Sequence, residues 1–239
     1  MLRLAKSLPV LVSLAILGQG GLGAAPEPTL RGVERILGAE KAERGKAVCA
    51  VLESGIVTEV FEVEATAVNY RPGSKYIPHP LCTAFWDLPN KAEAEAVCQE
   101  ELTAQTKRRM EAALKKETFE EPVPECLNEG HQGAVTLTVT KMTFDTPAEA
   151  VTSLEGTVAQ LEEGITFEVQ GKERTKQVDF EWADGVDDRA AWAPSLNELS
   201  VAVDGVRFAV AVRGVGDDEQ CQTKAIEAAR RIATALADG

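Results

Sequence analysis

The chain has 239 residues and a formal net charge of −13, from 38 acidic against 25 basic side chains. An acidic balance of this size excludes a nucleic-acid partner, which needs a dense basic face, and disfavours adhesion to an anionic membrane. Hydrophobic residues make up 44 % of the chain, enough for a true core in one large domain or two small ones.

Met1 to Gly23 reads as a secretory signal peptide. Arg3 and Lys6 give it a positive start, Leu8 to Leu17 a short apolar run, and Gly21 to Ala24 small residues for cleavage. The run holds Pro9 and falls well short of the ~20 residues that cross a bilayer. Loss of Arg3 and Lys6 with the leader moves the net charge from −13 to −15. Residues 24–239 are then expected as a single exported domain, secreted or periplasmic. It would have no stable membrane insertion and would meet conditions that oxidise thiols.

Leu30, Val33, Ile36 and Leu37 share one face of a weak helix over Thr29 to Gly38, and Cys49 to Leu52 belongs to a short helix or turn ending near Gly55. Val57 to Val68 alternates, with Phe61, Val63, Ala65 and Ala67 on one side, and predicts a half-buried strand. Asn69 to Pro80 carries Pro72-Gly73, Pro78 and Pro80 and predicts a loop, followed by a strand over Leu81 to Trp86. Asn90-Lys-Ala-Glu93 has the form of a capping box and opens the longest predicted helix, Lys91 to Glu117. Ala94, Val97, Cys98, Leu102, Met110, Ala113 and Leu114 are its expected inner face. Its acids come early and its bases late, which complements the helix dipole.

The Pro/Gly-rich stretch at 122–133 is the candidate division between two lobes. A strand over Ala134 to Phe144 follows, then Thr146-Pro-Ala-Glu149, which predicts a capped helix that Gly164 stops. Strands are expected over Ile165 to Val169 and Gln177 to Trp182. Leu199 to Val203 and Val206 to Val212 alternate about Asp204-Gly205, the signature of a type I′ hairpin. Asp217 to Leu236 closes the chain as a helix with Ala225, Ala229, Ile232, Ala233 and Leu236 on one face.

Five cysteines, Cys49, Cys82, Cys98, Cys126 and Cys221, leave at least one outside any internal pairing. The absence of Cys-x-x-Cys removes thioredoxin-like chemistry and most zinc sites. Cys49–Cys82 and Cys98–Cys126 each close a contiguous loop and are the preferred bridges, with Cys221 left over. The competing topology joins Cys98 or Cys126 to Cys221.

No catalytic motif stands out. His79 and His131 are the two histidines, neither with a second histidine at metal spacing. There is no Gly-x-Ser-x-Gly elbow and no phosphate-binding loop. Acidic clusters at Glu117–Glu125, Asp184–Asp188 and Asp217–Glu219 lack the spacing of a calcium loop. No catalytic residue, cofactor site or metal site is assigned. A pair formed by Cys221 and His131 is the arrangement that folding would have to create, and acids beside Cys221 oppose its ionisation. Trp86, Trp182 and Trp192 are expected in the core or at strand edges, Tyr70 and Tyr76 on the surface.

Cys49-Ala-Val-Leu52, Cys82-Thr-Ala-Phe-Trp86, Ala191-Trp192, the Leu199–Val212 hairpin and the Cys221–Leu236 helix together resemble small secreted sensor-like domains of actinobacteria. These include envelope lipoproteins and the extracellular sensor domain of a mycobacterial receptor kinase. The resemblance implies a disulfide-stapled antiparallel sheet with helices against it and a cleft that takes a ligand, and it carries no individual site residues with it. The expectation is therefore an α+β protein, its antiparallel sheet packed by helices. Its expected role is non-enzymatic: sensing a small ligand, or binding another envelope protein. A secreted hydrolase and a structural envelope component are the rival readings.

Overall fold

The protein is described here by a computed structural model covering residues 31–119, 131–169, 172–186 and 188–238. The segment read as a signal peptide, Cys126 and most of the 122–133 division lie outside the described residues.

Three short helices come first: α1 (Arg31–Gly38), α2 (Arg44–Glu53) and α3 (Ile56–Phe61). Each buries apolar side chains at helical spacing, as with Val33 and Ile36, Val48 and Leu52, or Ile56, Val57 and Val60. The strand expected over Val57 to Val68 does not form. Its first half is α3, and a 3-10 turn over Ala65–Ala67 leaves those three residues exposed. Alternation misled because Val57 and Val60 also lie one helical turn apart, and packing of α3 on α6 (Asp218–Asp238) chose that period. The expected loop at 69–80 likewise begins with an edge strand, β1 (Asn69–Pro72), which half-buries Tyr70.

The next strand, β2 (Leu81–Asp87), leads into α4 (Lys91–Lys115), 25 residues long. The helix forms where expected, but its anticipated inner face is largely wrong. Cys98 is its buried residue, while Val97, Met110 and Leu114 are 58 %, 64 % and 84 % exposed. Asn90 makes no side-chain cap. Then come β3 (Gln132–Thr143), α5 (Pro147–Glu163), β4 (Ile165–Val169) and β5 (Lys172–Lys176). Thr146 caps α5 by accepting from the Glu149 amide at 3.3 Å, and Glu149 accepts from the Asp145 amide at 3.1 Å. The Thr146 cap is the one its sequence predicts, while Glu149 reaches back past the cap residue to Asp145. The strand expected over Gln177 to Trp182 shrinks to β6 (Glu181–Ala183), with Trp182 44 % exposed.

The remaining strands are β7 (Arg189–Ala193), β8 (Glu198–Val203) and β9 (Val206–Arg213). Asp204 and Gly205 turn the last pair with φ of 48° and 78°, both left-handed as a type I′ turn requires. A Cβ on Gly205 would lie 2.8 Å from the Phe144 carbonyl oxygen, so space as well as φ demands glycine.

Seven strands form one antiparallel sheet in the order β1-β2-β3-β9-β8-β7-β6, and β4 with β5 forms a separate two-stranded ribbon. The fold is α+β, and the large sheet runs across the candidate division, since β3 pairs with both β2 and β9. On the first face, α1, α2, α3 and α6 cover a core built from Leu137, Trp192, Leu199, Phe208 and Ile232, among others. On the second face, α5 packs Ala150, Leu154 and Val158 on Ala191 and Ala202. Burying a large aliphatic or aromatic side chain stabilises by about 1.5–3 kcal/mol. Exposed ion pairs such as Lys46–Glu43 contribute roughly 0–1 kcal/mol, so the core decides the fold.

Cys49 on α2 is bonded to Cys82 on β2, with 5.0 Å between their Cα atoms, and both cysteines are buried. The bridge ties the helical layer to the sheet. Cys98 is also disulfide-bonded, and Cys126, its expected partner, lies outside the described residues. Cys221 is free and buried.

Candidate functional site

The pairing that sequence left open, Cys221 with His131, would need an exposed and ionisable thiol. His79 precedes β2, and His131 adjoins β3 where its carbonyl accepts from the Leu88 amide at 3.3 Å. The seven residues of β2 separate the two ends, a distance of ~20 Å at strand rise. Cys221 is 2 % exposed and packs in the main core. Burial, helped by Asp218 and Asp217, pushes its thiol above the usual range, against a lowering hydrogen bond at the Val215 backbone. It remains a thiol at neutral pH, the wrong state for a nucleophile. Trp86 and Trp192 are core residues, as expected. Trp86 also lies over Gly133 on the neighbouring strand, where any Cβ would strike the indole ring.

One cleft of about 440 Å³ opens beside the start of α6, lined by Val215, Asp217, Glu219, Gln220, Thr223 and Lys224. Its carboxylates belong to the helix N-terminus, and the Asp217 carboxylate accepts from the Gln220 amide at 2.9 Å. Lys224 donates to the Val60 carbonyl at 2.5 Å, which commits it to the α3–α6 contact. These groups cap and fasten a helix.

The second face of the large sheet is built differently. On this face α5 packs on β7, β8 and β9, and the part formed by β2, β3 and the adjoining half of β9 and β8 lies beyond that contact. Strand alternation and register place Thr83, Thr136, Thr138, Ala209, Ala211 and Ser200 on this face, all half-buried. Their short side chains make a level floor, with the Thr83 and Thr136 hydroxyls hydrogen-bonded at 2.9 Å. At the β1 side the Arg71 guanidinium sits 5.2 Å from the centre of the Phe85 ring. At the opposite side Glu198 shares a register row with Ala211.

Glu198 links this floor to the separate ribbon. Burial raises its carboxyl pKa, while the charges of Lys176, on β5, and Arg213, at the end of β9, pull it down. Burial is the larger effect, so the carboxylate is desolvated more than it is compensated. Deeper on the same face, Arg207 donates from Nη1 to the Ser153 carbonyl and to the Ser153 and Thr157 hydroxyls at 2.9–3.1 Å. Burial lowers its pKa, and the contacts anchor α5 to β9. Arg189 lies 3.9 Å over the exposed Trp182 ring at the far edge.

The arrangement is a shallow floor with hydroxyls available for hydrogen bonding and charged groups at both margins. Sequence reasoning missed it because its residues are the polar, outward half of strands read only for their apolar half. Register was the lost signal. Among the described residues no cluster of histidine, cysteine and carboxylate side chains fits a metal ion, and no helix is long and apolar enough to cross a membrane. Comparison of the chain with protein-family models, with curated proteins and with solved structures finds no match.

Proposed function

We propose that the protein is an exported, non-enzymatic binding domain of the bacterial envelope or extracellular space, receiving its ligand or protein partner on the open part of the second sheet face. The floor of Thr136, Thr138, Ala209 and Ser200 carries this reading. A sheet face covered by a helix over one half and by short side chains over the other offers a preformed, solvent-facing platform. The signal-peptide character of residues 1–23 and the Cys49–Cys82 bridge support export into an oxidising compartment. The resemblance to secreted sensor-like domains points the same way.

The test places a photo-cross-linking amino acid at Thr136 in the native host, with the exposed helix position Glu162 as control. A discrete adduct from position 136 and none from position 162 is expected. Equal labelling at both positions, or none at 136, would overturn the reading.

A further inference from the structure

The ribbon formed by β4 and β5 has two unlike sides. Its register pairs Ile165 with Lys176 and Phe167 with Arg174, and alternation puts these four side chains on one face. The other face pairs Thr166 with Thr175, whose hydroxyls lie 3.0 Å apart, and sets Glu168 directly against Glu173. One side is thus apolar and cationic, the other polar and anionic.

Three observations show that the first side is built for a partner. Ile165 and Phe167 are 37 % and 43 % exposed. Arg174 and Lys176 form no salt bridge among the described residues, in a chain whose net charge is −13. Both strands pair only with each other, so both outer edges keep unpaired backbone groups. Two strands alone are marginal in water, and a third would complete the sheet.

We propose that the β4–β5 ribbon binds an extended acidic segment of another protein, which adds as a strand while its carboxylates meet Arg174 and Lys176 and its apolar side chains cover Ile165 and Phe167. This deepens the proposed function and rests on it: the Lys176 charge acts on Glu198, at the margin of the open sheet face, so β5 lies near that margin. Glu168 and Glu173 repel the same segment from the opposite side, which fixes the face used. Main-chain hydrogen bonds supply affinity in such strand addition, and alternate side chains supply specificity.

The probe is a fluorescein-labelled synthetic peptide alternating glutamate with valine, followed by anisotropy against the mature chain. Saturable binding that weakens with added salt is expected. A peptide with lysine in place of glutamate should not bind, and N-methylation at alternate backbone positions should abolish binding by removing strand pairing. The Arg174→Glu/Lys176→Glu double variant should weaken binding about tenfold or more, since two favourable charge contacts become repulsive. Phe167→Ser serves as a second variant, and both are checked for an unchanged unfolding midpoint. Unaltered affinity in the charge-reversed protein, or capture by phosphatidylglycerol vesicles in preference to the acidic peptide, would overturn the proposal. A discrete cross-link at position 136 alongside failed peptide binding would refute this inference alone, whereas loss of that cross-link would refute the binding reading beneath it.

Discussion

At Gly205 two independent constraints meet, a φ of 78° and the Phe144 carbonyl 2.8 Å from where a Cβ would stand. Gly205→Val should lower stability by about 1–3 kcal/mol, read as a reduced urea midpoint with an unchanged slope; an unmoved midpoint would mean that the turn tolerates a branched side chain. Cys221 offers a test by pH. Its folded-state pKa is raised, chiefly by burial. As pH climbs above ~8.5, the unfolded thiol ionises while the folded one stays protonated. The unfolded state then binds fewer protons, so stability should fall as pH rises through that range. Comparing Cys221→Ala with the parent between pH 7 and 10 isolates the effect, and identical slopes would exclude it.

Among the elements, those with two agreeing signals were legible from sequence. The β8–β9 hairpin had alternation on both sides of Asp204-Gly205, and α5 had both a cap at Thr146 and a stop at Gly164. Some elements with one signal were misread. Val57 fits the alternation that runs through Phe61 and Val63 but shares a face with Val60 only in a helix, and the choice fell to packing against α6, which local sequence does not display. The face of α4 failed for a related reason, because apolar spacing cannot tell whether a surface exists to receive it. The candidate site was the least legible part, since Thr136, Ala209 and Ser200 come from three strands and become neighbours only through register. The Cys49–Cys82 bridge closes a sequence separation of 33 residues. Its removal by Cys49→Ala/Cys82→Ala should cost about 4 kcal/mol in the chain-entropy model. Differential scanning calorimetry would measure it, and a melting temperature within a degree of the parent would show that noncovalent packing alone holds α2 to β2.

Across the whole molecule, stability is unevenly distributed. β9 lies at the centre of the sheet between β3 and β8, with α6 packed on one side and α5 on the other. Native-state hydrogen exchange should therefore be slowest in β9 and β3, and faster by orders of magnitude in α4 and the β4–β5 ribbon. Protection of α4 equal to that of β9 would mean that the long helix is locked to the core.

The pairing of β3 with β9 also sets an order in time. Ala134 meets Arg213 across 79 positions of chain, and α1, the first described helix, rests against α6, the last. Loops of that length close late, and sheets that depend on them fold slowly. A chain delivered from its N-terminus would hold β1, β2 and β3 with one edge of β3 bare until β9, beginning at Val206, arrived. The structure therefore cannot lock before both β3 and β9 are available to pair.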